Sequence, residues 1–232
     1  MTRNALVVRG GWEGHSPVEA TDLFIPHLEQ KGFAVEIADS PEPYADEASM
    51  VRTDLIVQCY TMGTIEPKQV DGLSNAIQAG TGFAGWHGGI VDAFRQSPSY
   101  LHLLGAIFAA HPPKCPDEIT EPNVQSNYFV PFRVNIRPEA AEHPIVKGIA
   151  DFDLTTEHYW VVTDAYLDVL ATTTMPARDC DPWNRPVTMP AVWTRTWGAG
   201  RIMVATPGHD LDVLRQPSVR TIIERGMLWA SR

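Results

Sequence analysis

The sequence contains 232 residues, of which 44% are hydrophobic and 20% are charged, and its formal net charge at pH 7 is −10. This length and composition are typical of a globular chain rather than a disordered one, so we expect residues 1–232 to fold as a single domain. The acidic balance, with no cluster of Lys and Arg to offset it, disfavours nucleic acid and anionic membranes as partners.

Cysteine usage and hydropathy favour a cytoplasmic location. Cys59, Cys115 and Cys180 are odd in number and form no C-x-x-C pair, so neither a disulfide framework nor a zinc knuckle is predicted, and a reducing compartment is expected. The apolar run at residues 5–8 is too short for the core of a signal peptide. No apolar stretch approaches the ~18 residues that a membrane span needs.

Short apolar strands alternate with helices in the first part of the chain. The run at 5–8, closed by Gly10 and Gly11, predicts a buried first strand. Further elements are predicted as strands at 33–37, 54–59 and 82–86, with a helix at 67–79. Because parallel strands need crossover helices, this order predicts a three-layer α/β/α fold, with a mainly parallel sheet covered by helices on both faces.

The first helix has a strong start signal. Ser16, Pro17 and Glu19 are the residue types preferred at the N-cap, N1 and N3 positions of a helix. From this start the helix is expected to run to about Lys31, because Gly32 is a typical helix terminator.

The second half of the chain is richer in strands and loops. Residues 111–127 predict a loop, and residues 129–136 predict a strand that Pro131 places at a sheet edge. The remaining predicted elements are strands at 152–155 and 167–173, a hairpin of 190–195 with 201–205, and a closing helix at 217–229.

The turn after the predicted strand at 82–86 has the spacing of a nucleophile elbow. Gly85, His87 and Gly89 form a Gly-x-His-x-Gly sequence, and such a strand-to-helix turn lifts its central side chain above an α/β sheet. An elbow normally presents Ser or Cys. An imidazole in this position can act as an acid, a base, a metal ligand or a hydrogen-bond donor, but it is a poor nucleophile for acyl transfer.

Chemically active side chains recur at the ends of the predicted strands. Ligands of open α/β sheets bind beyond the carboxyl ends of the strands, so we expect these side chains to face one crevice. They are Trp12, Glu13, His15, Tyr60, Trp86, His87, Glu157, His158, Tyr159, Trp160, His209 and Asp210, with Asp92 and His111 approaching from the helix and loop after the elbow. Each also has a structural interpretation, as a helix cap, a loop residue or a core aromatic ring.

A zinc site is an open alternative for these residues. The sequence has no H-E-x-x-H motif, but His87, His158 and His209, assembled from three strand ends, would suit a zinc ion with water as its fourth ligand. A metal-free acid/base site is the competing interpretation. The short glycine pairs match neither G-x-G-x-x-G nor a P-loop, so no nicotinamide or ATP site is expected and no cofactor is firmly implied.

Several segments together resemble the ThuA-like, or trehalose utilisation, family, which is related in fold to the class I glutamine amidotransferases. The segments that carry the resemblance are residues 82–89, 104–112, 143–148, 156–159, 198–202 and 206–210. The resemblance implies a flavodoxin-like, amidotransferase-like fold and a role in carbohydrate catabolism. The family's polar positions correspond to His87, His111, Glu157, Tyr159, His209 and Asp210. Amidotransferase chemistry is not implied, because it needs a Cys at the elbow.

The principal hypothesis is an acid/base enzyme that acts on a sugar or keto-sugar by isomerisation, epimerisation or elimination. In this hypothesis Glu157 is the base, His87 is the acid or carbonyl polariser, and His209 is their partner. The substrate-binding residues would be Trp12, His15, Trp86, His111, His158, Tyr159 and Asp210, with a Trp ring stacked on the sugar.

Two alternatives belong to other classes of protein. A sugar-binding or regulatory protein would keep the pocket without turnover, and a zinc-dependent hydrolase would require the metal set described above. In each case the expected partner is a small-molecule carbohydrate. Homo-oligomer formation through the aromatic, Pro-rich middle third of the chain stays open.

Overall fold

Strands from both ends of the chain share one sheet. The computed structural model describes residues 2–232, and its strands are β1 (Arg3–Gly11), β2 (Phe33–Ala38), β3 (Leu55–Thr61), β4 (Gly82–Trp86), β5 (Ala106–Ala110), β6 (Phe129–Ile136), β7 (Phe152–Glu157), β8 (Trp160–Thr163), β9 (Asp168–Met175), β10 (Val187–Trp197) and β11 (Gly200–Ala205). The nine-stranded sheet has the order β2-β1-β3-β4-β11-β10-β9-β6-β7, and β5 pairs with β8 in a separate two-stranded sheet.

The helices lie between these strands and at the end of the chain. They are α1 (Pro17–Asp22), α2 (Ile25–Gln30), α3 (Glu47–Arg52), α4 (Pro67–Gln78), α5 (Gly88–Val91), α6 (Pro98–Leu104), α7 (Leu211–Arg215) and α8 (Pro217–Ala230). Within residues 2–232, none of them combines the length and the apolar character needed to cross a membrane.

The sheet is parallel in one half and antiparallel in the other. β2, β1, β3, β4 and β11 run parallel, whereas β10, β9, β6 and β7 continue the sheet in antiparallel pairs. The chain is therefore a mixed α/β protein, with the predicted parallel arrangement in five strands only. The antiparallel half follows from short connections: a tight turn joins Trp197 of β10 to Gly200 of β11, and only antiparallel strands can be joined so closely.

Helices cover both faces of the parallel half. On β1, Ala5 and Val7 point into a core that includes side chains of α1, α2 and α8, while Leu6 and Val8 point into a second core with side chains of α4 and α6. Successive side chains of a strand point to opposite faces, so a strand buried on both faces appears as a continuous apolar run. Because both faces of these strands are buried, polar side chains lie mainly at the carboxyl ends of the parallel strands.

The helix predicted from Ser16 to Lys31 is two helices. Pro26 has no backbone N–H and its ring clashes with a preceding helical turn, so α1 ends at Asp22 and Pro26 lies in the first turn of α2. Ser16 does not cap α1 with its side chain. It adopts a left-handed conformation with φ +44° instead.

The prediction that β6 is an edge strand is wrong. β6 lies between β9 and β7, and β7 forms the edge of the sheet. Pro131 is tolerated because β9 pairs only with residues 134–136 of β6, so the segment around Pro131 has one neighbouring strand, β7.

The structure also corrects the expectation that no disulfide forms. Cys115 and Cys180 are bonded to each other across 65 positions of sequence, with their Cα atoms 5.8 Å apart. The bond joins the loop at 111–127 to the loop after β9, a pairing that sequence spacing cannot reveal. Cys59 is a free, buried thiol, and burial raises its pKa to about 12.

A thiol count tests this pairing. After denaturation without reductant we expect one reactive thiol per chain, that of Cys59, and three after reduction. In the native protein Cys59 should not react near neutral pH, because only the thiolate is nucleophilic. Titration with a thiol reagent measures all three states. Three thiols without reductant would contradict the disulfide and favour the reducing compartment expected from the sequence.

Candidate functional site

The predicted elbow turn is present between β4 and α5. His87 follows the fully buried β4 with φ +50° and ψ −144°, a strained conformation for a non-glycine residue and one that is typical of functional sites. Gly88 and Gly89 permit close approach by neighbours. A Cβ on Gly88 would lie 2.5 Å from Cε1 of His15, and a Cβ on Gly89 would lie 2.7 Å from Cα of Cys59. The two glycines therefore let other strand ends pack directly against the turn.

Backbone contacts fix the orientation of the His87 ring. Its Nδ1 lies 2.8 Å from the carbonyl oxygen of Thr206, and because a carbonyl only accepts, Nδ1 carries the proton. The backbone N–H of His87 donates to the carbonyl of Ala205 on the neighbouring strand β11. The other ring nitrogen, Nε2, is thereby directed at Oε2 of Glu157, 3.1 Å away.

Glu157 is the centre of the site. It is the last residue of β7 and is only 5% exposed. Its Oε2 lies 3.1 Å from both Nε2 of His87 and Nδ1 of His209. Nε2 of His111 is 3.4 Å from the same oxygen, and Oε1 accepts a hydrogen bond of 3.0 Å from Nε2 of Gln125. One carboxylate thus contacts four side chains from three separate segments of the chain, since His111 and Gln125 share the loop at 111–127.

His15 joins the group from the turn after β1. Its Nδ1 lies 2.9 Å from Oγ1 of Thr61 at the end of β3, and its ring packs edge-on against His87 at a centroid distance of 4.7 Å. Ligand atoms of His15, His87, Glu157 and His209 all lie within 4.8 Å of one another, and the four residues are buried. We refer to these four residues as the His–Glu cluster.

Burial and close contact shift pKa values within the His–Glu cluster. Burial lowers the pKa of His15 to about 2, assisted by the nearby His87. Burial also lowers the pKa of His87, against the opposing effect of its hydrogen bond with Glu157. Burial acts to raise the pKa of Glu157, but hydrogen bonds from His209 and His87 outweigh it and hold the pKa below its ordinary value. At neutral pH an ionised carboxylate therefore faces the neutral imidazoles of His15 and His87.

A pocket of about 780 Å³ lies over the His–Glu cluster. Its size falls within the range of small-molecule sites. His87 and His209 lie beneath it, whereas Glu157 lines it. His111 is the most accessible imidazole in contact with Glu157, since its side chain is 19% exposed, against 2% for His87 and 5% for His209. The aromatic and polar lining also includes Trp12, His15, Asp92, Arg95, Phe108, Asn123, Gln125, Asn127, Tyr128 and Tyr159.

Tyr159 and an ion pair add polar groups to the pocket wall. The Tyr159 ring lies 4.2 Å from the His87 ring, and burial raises the pKa of Tyr159 well above its ordinary value, so its hydroxyl stays protonated. Oδ2 of Asp92 accepts a hydrogen bond of 2.6 Å from Nη2 of Arg95. The wall therefore combines a phenol, a carboxylate and a guanidinium group.

His158 does not join the zinc set predicted with His87 and His209. Its ring stacks on Phe132 at 4.2 Å, and its Nε2 lies 2.9 Å from Oγ1 of Thr173. The reason is the two-residue period of a strand: Glu157 ends β7 facing the cluster, so the next side chain is turned to the opposite side.

Trp86 and Asp210 also lie outside the pocket. Trp86 is 1% exposed and packs against Phe24 at 4.8 Å in the core, so it is not available to stack on a sugar. Asp210 is the N-cap of α7, where its side chain accepts a hydrogen bond of 2.8 Å from the backbone N–H of Val213. Both residues therefore stabilise the fold beneath the site, Trp86 by packing in the core and Asp210 by capping α7.

Sequence reasoning missed the residues that orient the cluster. Thr61 ends β3, so the strand-end rule that selected Tyr60 would have found it one position later. Gln125 lies in the loop at 111–127 and carries no motif. Thr206 acts through its backbone carbonyl, which no side-chain pattern encodes.

Comparison with known protein families identifies one family for this chain. A family model described as trehalose utilisation, ThuA, matches residues 4–230. No curated protein sequence matches the chain. Among solved structures, a ThuA-like protein from Bacteroides uniformis is similar with a TM-score of 0.73 and 18% identity, over 98% of this chain and 91% of that protein. A ThuA-like protein from Parabacteroides merdae gives a TM-score of 0.72 and 18% identity, over 99% and 90%.

A more distant structural neighbour supports the same fold. A protein from Salmonella typhimurium, described as cytoplasmic, has a TM-score of 0.63 and 13% identity over 98% of this chain and 99% of that protein. At such identities the structural likenesses concern the fold alone, whereas the family model spans almost the whole sequence. The chain therefore belongs to the ThuA, or trehalose utilisation, family.

Proposed function

We propose that this protein is an enzyme that acts on a sugar or keto-sugar by acid/base chemistry next to a carbonyl group. Membership of the trehalose utilisation family indicates a carbohydrate-related function. The observation that carries the proposal further is Glu157, a buried carboxylate in contact with three imidazoles in the wall of a pocket of sugar size. Acid/base groups gathered in a pocket in this way are typical of proton-transfer sites.

The pocket wall offers the contacts that a sugar requires. Trp12 is 39% exposed and presents an apolar ring on which a sugar face can stack. Asp92, Asn123 and Gln125 supply carboxylate and amide groups for hydroxyls. A flat aromatic ring beside several polar groups suits a carbohydrate better than a wholly apolar ligand.

The contacts of Glu157 change the roles expected from the sequence. Both of its oxygens are engaged, Oε1 by Gln125 and Oε2 by imidazoles, so we assign Glu157 an electrostatic role rather than that of the base. We assign the proton transfer to Nε2 of His111, which lines the pocket and has longer contacts: its Nδ1 lies 3.4 Å from the carbonyl oxygen of His158, and its Nε2 lies 3.4 Å from Oε2 of Glu157. His87 and His209 contact Glu157 but do not line the pocket, and we assign them as positioning residues.

The proposed reaction step moves one proton. His111 takes a proton from the carbon next to the substrate carbonyl, and the electron pair of the C–H bond passes to the carbonyl oxygen, which becomes an enolate. The protonated hydroxyl of Tyr159, in the same wall, donates a hydrogen bond to that oxygen. Return of the proton to the former carbonyl carbon, while the proton of the neighbouring hydroxyl passes to the enolate oxygen, would complete an isomerisation. Delivery of a proton to the opposite face of the first carbon would complete an epimerisation.

Deuterium exchange tests this function. In D2O we expect the protein to exchange the C–H next to the carbonyl of at least one member of a panel of ketoses and keto-disaccharides, followed as loss of the ¹H NMR signal. His111→Asn should slow exchange by about 10²–10⁴-fold, because it removes the proton-transfer group. His102→Asn is the matched control, since His102 is exposed on α6, and should leave the rate unchanged.

Two outcomes would reject the assignment. Equal exchange rates in His111→Asn and the wild type would remove His111 from the reaction. A sugar that raises the Tm but is chemically unchanged would favour a sugar-binding protein over an enzyme.

We also propose the single-domain, three-layer organisation expected from the sequence. A flavodoxin-like, three-layer arrangement is supported by the apolar cores on both faces of the parallel strands. One domain over residues 1–232 is supported by β1 and β11, which share a sheet although they come from opposite ends of the chain. A small-molecule carbohydrate is the proposed partner. The cytoplasmic location expected from the sequence does not agree with the Cys115–Cys180 disulfide, because such bonds are rare in a reducing compartment.

A further inference from the structure

We propose that His15, His87, Glu157 and His209 together bind one divalent transition-metal ion of the zinc class. Its role, polarising a sugar carbonyl, rests on the function proposed above. This ligand set differs from the one expected from the sequence, because His158 is absent and His15 and Glu157 are included.

Three possible ligand atoms converge at the centre of the His–Glu cluster. Nδ1 of His87 donates to the carbonyl of Thr206, so Nε2 is the ring nitrogen that faces the cluster. This Nε2 lies 3.1 Å from Oε2 of Glu157. Nδ1 of His209 lies 3.1 Å from the same oxygen and 3.3 Å from Nε2 of His87. A cation among these three atoms would accept an electron pair from each, in place of the protons that hydrogen bonds between them require.

The spacing of the ligand atoms of His87, Glu157 and His209 matches the geometry of zinc, and the ligand atom of His15 lies within 4.8 Å of these three. Zinc–nitrogen bonds are about 2.0–2.1 Å long, so the ligand atoms of a tetrahedral site lie about 3.3 Å apart. The three separations among His87, Glu157 and His209 are 3.1, 3.1 and 3.3 Å. Three imidazoles and one carboxylate also favour zinc or a neighbouring transition metal over Mg²⁺ and Ca²⁺, which prefer oxygen ligands.

Outer contacts hold two of the rings in ligand orientation. A metal-binding histidine commonly uses its second ring nitrogen on a neighbouring oxygen, which fixes the tautomer. His87 does so through Nδ1 and the carbonyl of Thr206, and His15 through Nδ1 and Oγ1 of Thr61 at 2.9 Å. His15 therefore keeps Nε2 for an ion.

The position of the cluster suits a Lewis acid. His15 and Glu157 both line the pocket, so an ion held between them would lie within reach of a substrate carbonyl. His111 is not one of the four ligands and remains available for proton transfer.

Zinc titration tests the site. Protein purified without added metal is treated with a chelator, then titrated with Zn²⁺ by calorimetry and with Co²⁺ by visible absorption. We expect one ion per chain, the absorption bands of tetrahedral Co²⁺, and no binding of Mg²⁺. At free zinc near 100 times the Kd, the Tm should rise by about 5–10 °C.

Matched variants separate the ligands from their neighbours. Glu157→Gln keeps the side-chain shape and should weaken zinc binding by at least about 100-fold. Thr61→Val should weaken it by about 10–100-fold through the loss of the His15 contact, and Thr61→Ser should restore it. His111→Asn and His158→Asn retain all four ligands and should still bind one ion. Circular dichroism establishes that each variant is folded.

Wild-type protein that binds no zinc at one ion per chain would overturn the proposal, as would a Glu157→Gln variant that binds zinc as tightly as the wild type. Zinc binding and sugar turnover are measured separately, so failure of the proposed ion site can be distinguished from failure of the proposed function. One zinc per chain without any sugar turnover would leave the site standing and remove the function proposed for it. Sugar turnover by protein that binds no zinc would contradict the ion site and leave the proposed function standing.

Discussion

Replacing Glu157 by Gln is expected to reduce turnover of a keto-sugar by about 10²–10³-fold while the protein stays folded. The change removes a buried negative charge that contacts His87, His209 and His111, but keeps the shape of the side chain. The new amide can donate a hydrogen bond to Nε2 of His87. We therefore expect the Tm of the metal-free variant to stay within a few degrees of the wild type, since a hydrogen bond replaces the lost contacts.

Initial rates by NMR and thermal unfolding by circular dichroism measure the two effects. Asp153→Asn is the matched control, because Asp153 lies on the same strand, is exposed, and pairs with Arg133 at the surface. Surface ion pairs contribute little, so this control should change turnover by less than about twofold. A wild-type rate in Glu157→Gln would contradict the electrostatic role of Glu157.

Gly88→Ala is expected to destabilise the protein by about 1–3 kcal/mol and to lower turnover by about 10–100-fold. The new Cβ would lie 2.5 Å from Cε1 and 2.8 Å from Nδ1 of His15, so the buried His15 ring must move. That movement breaks its contact with Oγ1 of Thr61 and displaces one member of the His–Glu cluster.

Denaturant unfolding and turnover of Gly88→Ala are compared with those of Gly148→Ala. Gly148 has open space around it but φ +74°, so its substitution costs about 1–2 kcal/mol of backbone strain without touching the pocket. The control should lose stability and keep its turnover. Full turnover in Gly88→Ala would mean that the position of His15 does not matter to the reaction.

Local sequence patterns predicted the scaffold of the site well. The strand Gly82–Trp86 and the turn at His87 are found where the apolar run and the glycine spacing predict them. The rule that strand ends converge also anticipated that His15, Glu157 and His209 would lie near this turn, and the four residues do form one cluster.

The exceptions depend on side-chain direction and on tertiary packing. The two-residue period of a strand turns His158 away from the side that Glu157 faces, and it sends Trp86 into the core while His87 reaches the site. Gln125 meets Glu157 only because the loop at 111–127 folds over the sheet edge. Such long-range contacts leave no local pattern in the sequence.

A crystal structure of the protein soaked with a keto-sugar would decide whether the pocket over the His–Glu cluster is where this protein handles carbohydrate. We expect the sugar to lie against Trp12, with the carbon next to its carbonyl within about 3.5 Å of His111 and its carbonyl oxygen within about 3.5 Å of the Tyr159 hydroxyl. A sugar bound elsewhere, for example in the separate cavity of about 460 Å³ next to Tyr44 and Lys68, with the cluster pocket free of ligand, would contradict the proposed site.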